Sequence, residues 1–398
     1  MNPVEIKKNI YWLGVIDWNV RYFHGATYST HRGTTYNSYL LLDEQPTLVD
    51  TVYTPFAAEL LESISTLIDP KKIKYVVVNH VEVDHAGALP AIMAAAPDAI
   101  IICSAKAAPV IDRYFNNSWK KQIVKTGDTL SIGKNTLSFV EAPMLHWPDS
   151  MFTYLPEEKL LLPNDAFGQH LATSTRFDDD TDLAVMMQEA KKYYANILLP
   201  FGPLVLKKID EITKLGLEIE MIAPSHGNIW RKDPGKIIEA YLHWAAGKHQ
   251  QKAIVVYETI WGSTEKMAHA ILDGLVASGM EAKLYKISGS DASDVIAEIL
   301  DAELVVVGSA TMNRDFLPKL SPFLDDLASL KPKKKRAALF ASSGWSGGAI
   351  EQMTARIQKA GFSLAETDTL EIFWTPHPED IEQCKKFGQR LAAGYKTE

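Results

Sequence analysis

The sequence predicts two α/β domains in series, the second a doubly wound parallel sheet. Three observations carry this. From residue 253 onward, apolar strand-like runs alternate regularly with helical periodicity, the pattern of parallel strands covered by helices on both faces. Before residue 250 the runs are shorter and less uniform, and several are followed closely by a His or Asp. Between them lies a short polar stretch, Ala246-Gly247-Lys248-His249-Gln250-Gln251-Lys252. At roughly 100–200 residues per domain, a chain of 398 residues divides naturally into 1–249 and 250–398.

In the first part, Ile10–Val15, Ser38–Leu42 and Thr47–Asp50 read as strands separated by turns. Phe56–Leu67 is helix-like, Tyr75–Val78 a buried strand and Ala88–Ala96 helix-like again. Further apolar runs end at Ile102, Val140, Leu162 and Ala223. His80, His146, Asp165 and His226 each follow one of these runs. Side chains projecting from the ends of successive strands are how an α/β sandwich builds a site at one edge. In the second part, Ala253–Tyr257, Glu281–Ile287, Leu304–Gly308, Ala337–Phe340 and Leu370–Trp374 are strands. Thr264–Ala277 is a helix with Met267, Ile271 and Leu275 on its apolar face, and Ser293–Leu300, Ala349–Ala360 and Pro378–Gly394 are helices. Five strands in about 145 residues fit a flavodoxin-like domain.

Composition narrows the chemistry. No stretch reaches the ~18 consecutive apolar residues of a membrane span, and Met1–Lys8 lacks the apolar core of a signal peptide. A cytoplasmic protein is expected, with no membrane association. A net charge of −8 argues against nucleic-acid binding, which needs a basic face. Two cysteines, Cys103 and Cys384, exclude any four-thiolate iron–sulfur, rubredoxin-type or zinc site within the chain. A metal must therefore be held by His, Asp and Glu. Nine of the 11 histidines lie in the first 249 residues, so that is where a metal is sought.

The segment Asn79-His80-Val81-Glu82-Val83-Asp84-His85-Ala86-Gly87 offers four ligands in six residues directly after a strand. If it stays extended, alternation puts His80, Glu82 and Asp84 on one side and turns His85 towards a second metal. His80-x-Glu82-x-Asp84-His85 resembles the metallo-β-lactamase signature, with Glu82 where a second His is usual. That form resembles the flavodiiron proteins, or A-type flavoproteins. Tyr36-Asn37-Ser38-Tyr39-Leu40, Val49-Asp50-Thr51, His146-Trp147-Pro148-Asp149-Ser150, Asn164-Asp165, Tyr193-Tyr194-Ala195-Asn196-Ile197 and Pro224-x-His226-Gly227 look like the same family. The resemblance runs over the whole chain. It implies a metallo-β-lactamase-like αβ/βα sandwich followed by the flavodoxin-like domain. It also implies one iron on His80, Glu82 and His146, a second on Asp84, His85 and His226, and Asp165 bridging them. In some relatives water replaces the residue matching His85.

Charge arithmetic supports iron independently. Two ferrous ions against Glu82, Asp84 and Asp165 leave about +1, which a bridging hydroxide brings to about neutral, avoiding a large desolvation cost. A carboxylate-rich site with nitrogen donors favours iron or manganese over zinc, which has no redox chemistry. By family position, His24 and Tyr193 are expected to donate hydrogen bonds to a bound gas. Trp147 is expected as a pocket wall. His31, His170, His243 and His249 lack motif context and are expected in solvated or capping roles.

The second domain carries three loops at strand ends. Thr259-Ile260-Trp261-Gly262-Ser263-Thr264 follows the first strand. Its hydroxyls and the N–H groups of the next helix can hold one phosphate without a basic side chain, which suits FMN. No dinucleotide Gly-x-Gly-x-x-Gly and no Walker lysine is present there. Ser309-Ala310-Thr311-Met312-Asn313 and Ser342-Ser343-Gly344-Trp345-Ser346-Gly347 follow the third and fourth strands, at the crevice where such folds bind ligands. Trp345 is a candidate stacking wall. Lys331–Arg336 reads as a solvated turn or a donor-docking patch.

The resemblance implies an oxidoreductase that reduces O₂ to water, NO to N₂O, or both. Its electrons come from FMN, refilled by an external donor, a rubredoxin or a reduced deazaflavin. It implies a head-to-tail homodimer or a dimer of dimers, with the FMN of one subunit facing the diiron site of the other. Two alternatives stand beside it: a metallo-β-lactamase-type hydrolase fused to a flavodoxin module, and a pure electron carrier.

Overall fold

In the computed structural model, which describes residues 2–25, 27–115, 119–365 and 367–394, the apolar runs of the first part pair into two sheets. Seven strands form the first, in the order Val4–Lys7, Ile10–Trp12, Tyr39–Leu41, Thr47–Val49, Tyr75–Val78, Ile100–Ser104 and Lys121–Val124. Its first four strands pair antiparallel and its last four parallel. The second sheet orders Thr129–Ser131, Thr136–Glu141, Met151–Leu155, Leu160–Leu162 and Met221–Ile222, antiparallel except for the last pair.

Strand alternation sorts the first sheet's side chains into two cores. Trp12, Tyr39, Leu41, Val49, Val77 and Ile102 pack with Phe139, Met151, Leu155 and Leu162 of the second sheet. Leu40, Leu48, Val76, Val78, Ile101 and Cys103 pack with helical residues such as Leu60, Ile64, Leu89 and Ile92. Both faces are covered, so these strands read as continuous apolar runs. The expected strand Ile10–Val15 is divided: Ile10–Trp12 stays in the sheet, and Val15–Asp17 leaves it to pair with Thr34–Tyr36.

The second part forms a parallel sheet in the order Glu281–Lys286, Gln250–Glu258, Ala302–Met312, Arg336–Ser343, Thr369–Phe373. That is the 2-1-3-4-5 order of a doubly wound flavodoxin-type fold. On one face, Met267, Ile271 and Leu275 of helix Ser263–Ala277 join Cys384, Phe387 and Leu391 of helix Pro378–Ala393 over Val255, Val306 and Phe340. Sequence periodicity missed the helix Ser321–Leu330, which buries Phe323, Leu324 and Leu327. The third strand runs on past Gly308 to Met312, because Asn313 and Arg314, both at positive φ, turn it into a hairpin with Asp315–Phe316. The Lys331–Arg336 block is not uniformly solvated: Lys335 is buried, donating to the Leu300 and Ala302 carbonyls at 2.9 and 2.6 Å, and Arg336 pairs with Glu303 at 3.0 Å.

By contact density the chain separates into Met1–Tyr193 with Pro203–Leu242, and Tyr194–Gly202 with His243–Glu398. Among the described residues no helix is long and apolar enough to cross a membrane.

Candidate metal centre and cofactor crevice

The ligand-bearing loops are tied together by one buried carboxylate. Asp50, at φ 55° after strand Thr47–Val49, accepts from Asn79 N at 2.8 Å, Asn79 Nδ2 at 3.0 Å and Asn164 Nδ2 at 3.1 Å. Asn79 precedes His80 and Asn164 precedes Asp165, so one side chain fixes two strand-end turns. After His80 the chain stays extended only to Glu82, which caps a short helix, Val83–Ala86. That helical turn breaks the expected alternation. Asp84 lies not with His80 and Glu82 but with His85 and His226.

Two donor groups result: His80, Glu82, His146 and Asp165, and next to it Asp84, His85 and His226. In the first, His146 Nε2 is 3.2 Å from both Glu82 Oε2 and Asp165 Oδ2, and His80 Nε2 is 3.3 Å from Glu82 Oε2. In the second, His226 Nε2 is 3.1 Å from Asp84 Oδ2. Asp165 serves both. Its Oδ2 faces His80 and His146, and its Oδ1 faces His85 and His226 at 3.0 and 3.5 Å. Donor atoms about 2.1 Å from one ion lie roughly 3.0–3.4 Å from one another, and the separations here run from 3.0 to 3.7 Å. The buried Asp84 Oδ1 and His85 Nε2 are 3.3 Å apart yet neither has an aligned hydrogen-bond partner. Such orphans are costly unless an ion takes them, so the residues fit a pair of bound cations.

Surrounding groups fix the imidazoles. His80 Nδ1 is 3.0 Å from Asp149 Oδ2, which also accepts from Val81 N, and His226 Nδ1 donates to the Thr35 carbonyl at 2.7 Å. Both contacts leave Nε2 for a metal. Gly227, at φ 76°, admits no side chain: a Cβ would lie 1.8 Å from Gln169 Oε1. Burial opposes protonation of the histidines, but the carboxylates beside them win. His80 is pushed up to about 10 by hydrogen bonds to Asp149 and Glu82. His85 is pushed up to about 9 by the charges of Asp165 and Asp84, and His146 to about 9 by hydrogen bonds to Asp165 and Glu82. Conversely, burial would raise Glu82 and Asp165, yet the neighbouring histidines hold both well below the usual carboxylate range.

A cavity of about 420 Å³ opens onto this centre, lined among others by Phe23, His24, Tyr36, Glu82, Asp84 and Trp147. His24 sits at its mouth, with Nε2 3.6 Å from Glu82 Oε1 and a side chain 35% exposed. Trp147 is a wall, edge-on to His80. Tyr193 corrects the expectation of a donor to the gas: it is fully buried one layer back from the cavity lining, its ring 5.1 Å from His170 and 6.3 Å from His226. His170 corrects the expectation of a solvated or capping side chain. It is buried behind His226, 4.6 Å ring to ring, and bonds Thr34. His31 is exposed, and His243 and His249 are half-buried.

In the second unit the three predicted loops lie at the carboxyl ends of the first, third and fourth strands. Gly262, at φ 88°, precedes helix Ser263–Ala277, whose first N–H groups have no side-chain cap. Its own N–H donates to Thr259 Oγ1 at 3.1 Å. Uncapped N–H groups beside hydroxyls suit one phosphate. Several predicted hydroxyls are already used: Thr264 bonds Ser342 at 2.8 Å, and Ser309 accepts from Leu317 N at 2.9 Å. Thr311 Oγ1 and Ser343 Oγ are buried without a partner, which leaves them for a ligand. Ala310 is buried, Ile260 and Met312 are exposed, and Trp261 and Trp345 stand 94% and 87% exposed. The sequence reading missed Trp374, 6.1 Å from Trp345 ring to ring and 63% exposed. It follows the fifth strand, where the same strand-end rule points.

Fold and site define a metal-dependent flavoprotein of two α/β units. Residues 34–227 match the family model described as ODP family beta lactamase, and residues 255–388 match the flavodoxin model. The chain is 56% identical over 392 residues to a nitric oxide reductase of Moorella thermoacetica, covering 98% of each. Among solved structures it is similar to the rubredoxin oxygen:oxidoreductase of Desulfovibrio gigas, with a TM-score of 0.95, 38% identity and 98% of each chain covered. It is also similar to the flavodiiron protein of Giardia intestinalis, with a TM-score of 0.95, 37% identity, and 99% of this chain and 96% of that one covered. This chain belongs to the flavodiiron family.

Proposed function

We propose that this chain is an oxidoreductase that reduces NO to N₂O, and O₂ to water, at a non-haem diiron site supplied with electrons by FMN. The observation that carries the reading is Asp165, with one carboxylate oxygen facing each donor group. His80, Glu82 and His146 would hold one iron, Asp84, His85 and His226 the other, with Asp165 between them. When bound, the pair supplies redox equivalents and two adjacent positions for substrate atoms. Glu82 supports redox use over hydrolysis, because a third carboxylate offsets the charge of a reducible pair. FMN would be held by the loops 259–264, 309–313 and 342–347, with Trp345 and Trp374 as aromatic neighbours.

The protein's own work is positioning and proton supply. Coupling two NO consumes two electrons and two protons, and reducing O₂ to two waters consumes four of each. His24, at the cavity mouth, would hold a proton at Nε2 and donate a hydrogen bond to the gas. Tyr193 would steady the buried wall behind His226. The 56% identity to a protein named nitric oxide reductase supports NO as the preferred gas. A separate rubredoxin, or a reduced deazaflavin, is the proposed donor. A cytoplasmic head-to-tail homodimer, or a dimer of dimers, is the proposed form. Anaerobic stopped-flow of the prereduced enzyme against each gas tests the reading. Flavin reoxidation by neither gas would overturn it, and faster reoxidation by O₂ would reverse the preference.

Two further results are expected. Metal-free His80, His85 and His146 keep their protons up to about pH 9–10. Ferrous ion takes the same nitrogens, so loading at pH 7 expels about three protons per chain. Proton release shrinks above those values, and iron is lost more readily as pH falls. An indicator dye in weak buffer measures this, and loading without proton release would show that these histidines are already neutral in the metal-free protein. Separately, Trp345→Ala removes an aromatic neighbour of the flavin and weakens FMN binding about tenfold. Flavin fluorescence titration reads this; unchanged affinity would place the ring system elsewhere.

A further inference from the structure

We propose that His170 is a positioning residue that holds the His24 hairpin over the metal pocket. The proposal rests on the role given above to His24. Strands Tyr22–Phe23 and Tyr28–Ser29 pair antiparallel, and His24 follows at the turn with φ 49°. Strands of two residues have little cohesion of their own. Tyr22 is 57% exposed, so the hairpin is gripped from its other side. There Phe23 lies flat on His170, centroids 4.2 Å apart and planes at 21°. The Tyr28 ring is 5.1 Å from the same imidazole. Phe23 and Tyr28 are cross-strand partners, so one ring grips both strands.

His170 has a second contact. Its Nδ1 is 2.8 Å from Thr34 Oγ1, and that hydroxyl is 3.4 Å from His226 Nδ1. Thr34 begins strand Thr34–Tyr36, whose Thr35 carbonyl orients His226. One buried side chain thus joins the hairpin carrying His24 to the strand that aims His226. Neither Phe nor Asn does both: the hairpin needs a ring, and Thr34 needs a nitrogen at the δ position.

Hydrogen exchange of amides 22–25 and 27–29 in the metal-free protein tests the anchoring directly. His170→Ala raises their exchange about tenfold, while His170→Phe, which keeps the ring, leaves it close to wild type. If the alanine variant does not fold, His170→Asn, which keeps the nitrogen without the ring, must show the same loosened hairpin. In the iron- and FMN-loaded enzyme, His170→Ala and His24→Ala each lower turnover about tenfold, and the double variant loses no more than either single one. Unmoved exchange, or losses that multiply in the double variant, would overturn the proposal. Full turnover in His24→Ala alone overturns the role of His24, and the exchange result then decides the anchoring by itself.

Discussion

Asp165→Ala abolishes gas reduction, lowering turnover about a thousandfold or more, which is roughly 4 kcal/mol in the barrier, while FMN stays bound. The variant removes a donor from both groups at once, since Oδ2 serves His80 and His146 and Oδ1 serves His85 and His226. Only Glu82 and Asp84 then face two ferrous ions, leaving about +2 in a buried pocket instead of about +1, and an uncompensated buried charge is expensive. Iron should fall below one per chain. Asp165→Asn keeps the shape and one acceptor oxygen, so it should retain more iron than the alanine variant but little activity. Iron and flavin analysis with anaerobic NO consumption measures all of this. Two irons per chain with turnover within tenfold of wild type would show that Asp165 does not bridge.

Strand ends explain how much was legible. Apolar runs mark strands, strands that run in one direction collect their carboxyl ends at one edge, and polar residues just past those ends must converge. That reasoning reaches His80, His146, Asp165 and His226 from the chain alone, and the three loops of the second unit likewise. It fails where local geometry breaks the period. Asp84 changes sides because the chain becomes helical at Val83, and two residues of spacing cannot reveal that. It also fails where burial is created by distant partners. His170 has no motif because its meaning comes from Phe23, Thr34 and His226, each more than 50 residues away. Lys335 looks solvated beside other lysines until two carbonyls of a neighbouring segment are placed over it.

Asp50→Ala is expected to cost about 3 kcal/mol and, at 2–4 °C per kcal/mol for a unit of this size, to lower the unfolding temperature of the first unit by about 6–12 °C. The residue touches no candidate ligand by hydrogen bond, yet both ligand loops hang on it. Removing it leaves Asn79 N, Asn79 Nδ2 and Asn164 Nδ2 without this acceptor, at about 1–3 kcal/mol for each buried orphan. Two effects reduce the sum. Asn79 Nδ2 keeps a longer bond to the Leu162 carbonyl at 3.5 Å, and a buried carboxylate is itself costly. Burial raises Asp50 above its ordinary value, and the bond from Asn164, the charge of His85 and the bonds from Asn79 only partly offset this. The sign of the pH dependence follows. A carboxyl whose folded value is raised stabilises most below its unfolded value near 4 and loses that contribution as pH rises through the raised one. The gap between wild type and Asp50→Ala should therefore narrow as pH increases from about 4, the reverse of what a salt-bridged aspartate gives. Asp50→Asn separates strain from charge, because Asn tolerates the positive φ at this position and Ala does not. Both variants should lose iron, since His80 and Asp165 are no longer held by a common anchor, while FMN in the second unit is unaffected. Thermal unfolding of the metal-free variants from pH 4 to 8, with iron analysis after loading, decides the matter. A gap that widens with pH would mean that Asp50 acts as a paired charge, and full iron retention would mean that the two loops hold their shape without it.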